Sequence, residues 1–116
     1  MLRVRTYGSR LKSVKGVRLS GTIGWTFLTN HAHVLVCLAA DPELRLRDIA
    51  DRVGITERAV HRVVSELAAD GYLEVLKDGR RNRYVVHSER PMRHPLEAHL
   101  PIGALLDVLP LPRPAS

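Results

Sequence analysis

From Leu28 to Ala40 the chain is densely apolar after the polar pair Thr29 and Asn30, either of which can cap the first free N–H groups of a helix. The spacing predicts a first helix there, ended by Asp41 and Pro42. Val34, Leu35, Cys37, Leu38 and Ala39 leave it little polar surface. It is therefore expected to be covered on more than one side, by its own core and, as a second candidate, by another subunit. Leu44-Arg45-Leu46 then alternates apolar and charged positions, and Arg47 to Val53 sets Ile49, Ala50 and Val53 at helical spacing before Gly54 supplies a stop. Thr56 can cap a third helix running to about Asp70, with Val60, Val63, Val64 and Leu67 as its inward stripe, closed by Gly71. Tyr72 to Lys77 reads as a strand, Asp78-Gly79 as a type I′ turn, and Arg83 to His87 as the returning strand. A last helical window, Ile102 to Leu109, shares Ile102, Leu105, Leu106 and Leu109 on one face.

The stretch from Ile49 to Val60 is the informative one. Two helices joined by a three-residue turn need a small residue at their crossing, a residue tolerant of the turn backbone, and an apolar residue seating the second helix. Ala50, Gly54 and Val60 supply these, with Ile55 as a plug after the glycine. With Val60, Val63, Val64 and Leu67 turned inward, Glu57, Arg58, His61, Arg62 and Ser65 must point outward.

Asp48-Ile49-Ala50, Gly54-Ile55-Thr56, Val60, Leu67 and Gly71-Tyr72-Leu73 followed by a basic hairpin resemble a winged helix-turn-helix transcriptional regulator, of the MarR-like and ArsR-like groups. The resemblance covers about Thr29 to His87. It implies a mainly α (α+β) fold, a three-helix core with a β-hairpin wing and a C-terminal helix. It also implies that the third helix, about 57–70, enters the major groove of double-stranded DNA while the wing, 77–83, lies along the backbone or in the adjacent minor groove.

The residue chemistry agrees with that placement. Arg58 and Arg62 stand one helical turn apart on the outward face, and a guanidinium bonding two acceptors on a guanine edge contributes about 1 to 3 kcal/mol of discrimination. Thr56, at the helix start, can hold a phosphate with its hydroxyl and the free N–H groups. Glu57 can accept from a cytosine amino group or simply favour the helix dipole. His61 and Ser65 are further candidates. On the wing, Lys77, Arg80, Arg81 and Arg83 surround the turn, and Asn82 can bond in either groove. The plainer alternatives are also open: Arg62 has Glu66 four residues on as an i,i+4 partner, and an Arg-rich hairpin also protects an edge strand from aggregation.

Charge narrows the partner less than it first suggests. The 116 residues carry 18 Lys and Arg against 12 Asp and Glu, a formal net charge of +6. Residues 1–20 contain six of the basic residues and no acid, so the whole excess sits in an N-terminal arm. Three regions are expected: a basic arm at 1–24, a DNA-binding domain at 25–90, and a Pro-rich tail at 91–116 that is mostly extended linker with one short helix, a candidate dimerisation element. The arm reads either as a solvated tail or as a DNA-contacting extension. It lacks the apolar stretch of a secretory signal, and an acid-free, Arg- and Ser-containing start also fits an organellar transit peptide, although Gly8, Gly16 and Gly21 interrupt any amphipathic helix. The resemblance to MarR-like and ArsR-like regulators implies a cytoplasmic, nucleoid-associated protein of a prokaryote.

Other chemistry finds little support. One cysteine, Cys37, rules out an internal disulfide, and its apolar surroundings, with no cation nearby in sequence, predict a buried inert thiol. His94, Glu97 and His99, or His31 and His33, do not have the spacing of a metal site, so no metal and no cofactor are expected. A phosphate loop and a Gly-x-Ser-x-Gly elbow are lacking, so no enzyme activity is expected. A homodimer is expected, because paired recognition helices address half-sites about 34 to 36 Å apart. The apolar tail face and first helix are its candidate interface, with the tail helix folding back on its own domain as the alternative. No membrane segment is present, and no effector pocket can be read from the sequence. Two competing functions remain at this level: a protein-interaction winged helix, and a non-specific architectural DNA-binding protein.

Overall fold

The computed structural model describes residues 24–109; the basic arm, Gly24 excepted, and residues 110–116 lie outside the described residues. Four helices and one hairpin follow in order: α1 (Asn30–Ala40), α2 (Leu46–Val53), α3 (Glu57–Ala69), β1 (Leu73–Asp78), β2 (Arg81–Val86) and α4 (Ile102–Val108). The fold is the expected mainly α arrangement, a three-helix core with a two-stranded antiparallel wing and a C-terminal helix.

Helix α1 is the central element. Thr29 is its N-cap, the side-chain oxygen accepting from the Ala32 amide at 3.2 Å. Val34 to Leu38 and Ala40 are all buried, and the neighbours that bury them are α2, α3, β2 and α4 of the same chain. Leu38, Ile49, Val34, Val60 and Val63 are fully enclosed, which joins the first three helices in one core. Gly54 takes the left-handed conformation (φ 88°) and donates to the Ala50 carbonyl at 2.8 Å, turning the chain within three residues from α2 into α3.

The exit from α3 is built the same way. Gly71 (φ 86°) donates to Ala68 O at 3.1 Å and Tyr72 to Leu67 O at 2.9 Å, the paired bonds of a Schellman end. The hairpin differs from expectation at its turn. Register pairs Asp78 with Arg81, so the two turn residues are Gly79 and Arg80 rather than Asp78 and Gly79. Only Gly79 has a positive φ (67°), the sign pattern of a type II′ turn with glycine first, not of type I′. Both strands shift accordingly by one or two residues from their expected spans, and α2 begins one residue earlier than the pattern suggests.

The chain after Arg90 returns to the body. The Tyr72 hydroxyl donates to Pro91 O at 2.6 Å, Arg93 pairs with Asp70 at 2.6 Å, and the Ile102 amide donates to Arg90 O at 2.8 Å. Ile102 is only 6% exposed and belongs to the main core, with Met92 and Leu106 packed against it. The face expected to meet a second subunit is thus partly consumed at home: Leu105 and Leu106 are half-buried and Leu109 stays exposed.

Candidate nucleic-acid interface

Helix α3 carries its polar residues where the stripe requires. Val60, Val63, Val64 and Leu67 are buried; Glu57, Arg58, His61, Arg62 and Ser65 are all exposed. Thr56 caps the helix, its Oγ1 accepting from the Ala59 amide at 3.0 Å. That bond uses the oxygen as acceptor and leaves the hydroxyl proton free to be donated outward. Glu57 occupies the first turn, where a carboxylate complements the positive end of the helix dipole.

The two arginines of this face are uncommitted. Among the described residues neither Arg58 nor Arg62 enters an ion pair, and the acid at i+4 from Arg62 points elsewhere: Glu66 accepts from His31 of α1 at 2.7 Å. Cross-linking α1 to α3 in this way keeps a carboxylate off the guanidinium that would otherwise meet it.

The wing presents Lys77, Arg80, Arg81, Asn82 and Arg83, all exposed. Its root is anchored by Leu73 and Tyr84, both buried, and by the Tyr84 amide donating to Pro42 O at 3.0 Å, which lays β2 beside the loop between α1 and α2. Arg83 is the cation drawn inward, its Nε 3.9 Å from Glu43, a solvent-exposed and therefore weak pair. Asn82 donates to the Tyr84 hydroxyl at 3.4 Å. Lys77, Arg80 and Arg81 form no ion pair among the described residues, although register sets Asp78 across from Arg81.

Arg45 is the residue that sequence reasoning passed over. It precedes α2, exposed, and its side chain makes no capping bond. The signal was present in the alternation of Leu44, Arg45 and Leu46: with Leu44 buried and Leu46 half-buried, Arg45 must face water. Cys37 is buried as expected, but a cation is near: Arg52 acts on the thiol, opposing the larger effect of burial, which pushes its pKa up.

Comparison with known proteins bears on this geometry. Residues 29–74 match the family model for winged helix-turn-helix DNA-binding domains, a span that runs from the cap of α1 into β1. No curated protein matches the chain. Among solved structures, the chain is similar to the PcaV transcriptional regulator from Streptomyces coelicolor in complex with its natural ligand, at 25% identity and TM-score 0.49, over 87% of this chain and 72% of that one. A second PcaV structure aligns at 26% identity and TM-score 0.47 (72% and 64%). The zinc-dependent MarR family regulator AdcR, in its Zn(II)-bound state, aligns at 20% identity and TM-score 0.41 (74% and 66%). Residues 29–74 thus match a winged helix-turn-helix DNA-binding domain in sequence, and the helices they form, with the hairpin that follows, have the arrangement of a winged helix.

Proposed function

We propose that the protein is a sequence-specific transcription regulator that reads double-stranded DNA with α3 in the major groove and grips the backbone or adjacent minor groove with the wing. The observation that carries this reading is the pair Arg58 and Arg62, exposed one turn apart on α3 and in no ion pair among the described residues. Bidentate guanidinium contacts to guanine are the commonest specific readout in the major groove. Glu57, His61 and Ser65 share that face, and Thr56 meets a phosphate at its start. Lys77, Arg80, Arg81, Asn82 and Arg83 supply sequence-independent attraction, which positions the helix without reading bases.

The working unit in this reading is a homodimer, since one recognition helix covers only a few base pairs. Apolar side chains left on the surface support it: Phe27 is 91% exposed and Leu96 79%, with Leu100 and Leu109 also open to solvent. Such a regulator acts where the chromosome is, in the cytoplasm of a prokaryote, and does so by binding rather than by catalysis. Selection of bound fragments from a random DNA pool tests the reading. Enrichment of a two-fold symmetric motif with half-sites about 10 base pairs apart is expected. Recovery of fragments with no common motif contradicts sequence specificity, and a motif without symmetry contradicts the dimer.

A further inference from the structure

Between the turn half of the wing and the start of α2 lies a cleft of about 360 Å³ whose charge is strongly one-sided. Arg45 and Leu46 border it from the α2 side, and Lys77, Arg80, Arg81 and Asn82 from the hairpin, with Tyr84 among its lining residues. Glu43 also borders it, and its carboxylate is drawn toward Arg83, which is not among the lining residues. Asp78 lies across the strand from Arg81 without pairing to it, and Asp48 sits in the first turn of α2. Among the described residues, Arg45, Lys77, Arg80 and Arg81 have no ionic partner, so four cations share one concavity with a single lining acid.

Like charges gathered in a concave site repel one another, and a bound anion relieves that repulsion. Hydrogen-bond donors are at hand. Asn82 uses one amide N–H on Tyr84 and retains the other, and the first amides of α2 receive no side-chain cap. Arg45 supplies the planar fork that matches a phosphate's oxygens. We propose that this cleft seats a backbone phosphodiester of the bound DNA, held jointly by Arg45 from the helix-turn-helix and Lys77 from the wing. The inference rests on the DNA-binding reading and adds a composite site to it. The wing then acts not as an independent arm but as one jaw of a clamp, with the entry to α2 as the other. The hydrogen bond from the Tyr84 amide to Pro42 O ties β2, which carries the lining residue Tyr84, to the loop ahead of α2.

The test is a titration of fluorescent duplexes, one carrying the selected motif and one of random sequence, over a range of salt concentrations, with wild type, Arg45→Ala, Lys77→Ala and the double variant. Arg45 makes no capping bond, so its loss leaves the fold intact, which far-UV circular dichroism and a thermal melt verify for each variant. Loss of one phosphate contact lowers the slope of log affinity against log salt by about 0.9, which is about eightfold in affinity at 0.1 M relative to 1 M salt. That loss is expected for Arg45→Ala equally on both duplexes, and the double variant is expected to lose less than the two single losses combined. Unchanged affinity and slope in Arg45→Ala, with wild type binding normally, overturn the cleft assignment and leave the DNA-binding reading standing. Strict additivity in the double variant overturns a shared phosphate. Failure of wild type to bind either duplex overturns both readings. A final arm replaces chloride with inorganic phosphate at equal ionic strength. Extra competition by phosphate that disappears in Arg45→Ala is expected, because free anion and phosphodiester then claim one seat; equal competition in wild type and Arg45→Ala overturns the cleft assignment.

Discussion

The Nε2 of His31 lies 2.7 Å from Oε1 of Glu66, so the acid one turn beyond Arg62 is held by α1 rather than by the arginine. Both side chains are about half exposed, at 44% and 50%, and the pair itself adds little stability. Its consequence is electrostatic. Releasing Glu66 through His31→Ala lets it pair with Arg62 at i,i+4, an interaction of about 0.2 to 0.5 kcal/mol, and lowers affinity for the target duplex by at most about twofold. Fluorescence anisotropy with the selected motif measures this; a rise in affinity contradicts it.

Gly71→Ala tests the exit from α3. The residue sits at φ 86°, and an added Cβ meets Nη2 of Arg90 at 2.9 Å. The left-handed backbone alone costs about 1 to 2 kcal/mol for a residue with a side chain. Arg90 must also shift, giving up its 3.1 Å bond to Asp70 O and its place over the Tyr72 ring. Urea unfolding is expected to show a loss in this range or somewhat above; an unchanged midpoint contradicts the assigned turn.

Ile102→Ala tests whether the tail belongs to the domain. With the side chain 6% exposed inside the main core, its truncation is expected to cost about 2 to 5 kcal/mol, whereas a loss below about 0.5 kcal/mol fits a residue on an independent, solvated tail. A chain shortened to Arg90 loses Met92 and Leu106 as well, so its assembly state reports on folding together with dimerisation.

Cys37 gives a pH dependence. Burial raises the folded thiol above its unfolded value, against a smaller pull from Arg52. Such a group contributes stability that is complete below the ordinary thiol pKa of about 8.5 and is lost as pH rises through the folded value. Between neutral pH and pH 10 the wild type is expected to lose more thermal stability than Cys37→Ala, and a thiol reagent is expected to label the native protein far more slowly than the unfolded chain. Rapid native labelling at neutral pH contradicts the buried, protonated thiol.

Local chemistry was legible in the sequence. Thr29 and Thr56 cap their helices, Gly54 and Gly71 end theirs, and the Val60 to Leu67 stripe turns the polar face of α3 outward, each a matter of a few neighbouring residues. Relationships across the fold were not legible. The bond from His31 to Glu66 spans 35 positions, and Arg52 approaches Cys37 only because α2 packs on α1. The turn slipped by one residue because glycine satisfies either central position of a primed turn; strand register decides which. Six of the seven prolines fall in the last 26 residues, which suggested a linker, yet Pro91 and Pro101 form a bridge that returns Ile102 to the core.

Division of labour between α3 and the wing is the central claim, and paired titrations of Arg62→Ala and Arg81→Ala on target and random duplexes at several salt concentrations test it most directly. Arg62→Ala is expected to cost about 1 to 3 kcal/mol on the target and little on random DNA. Arg81→Ala is expected to weaken both duplexes alike and to lower the salt slope by about 0.9. Equal losses on the two duplexes for Arg62→Ala contradict base reading by α3.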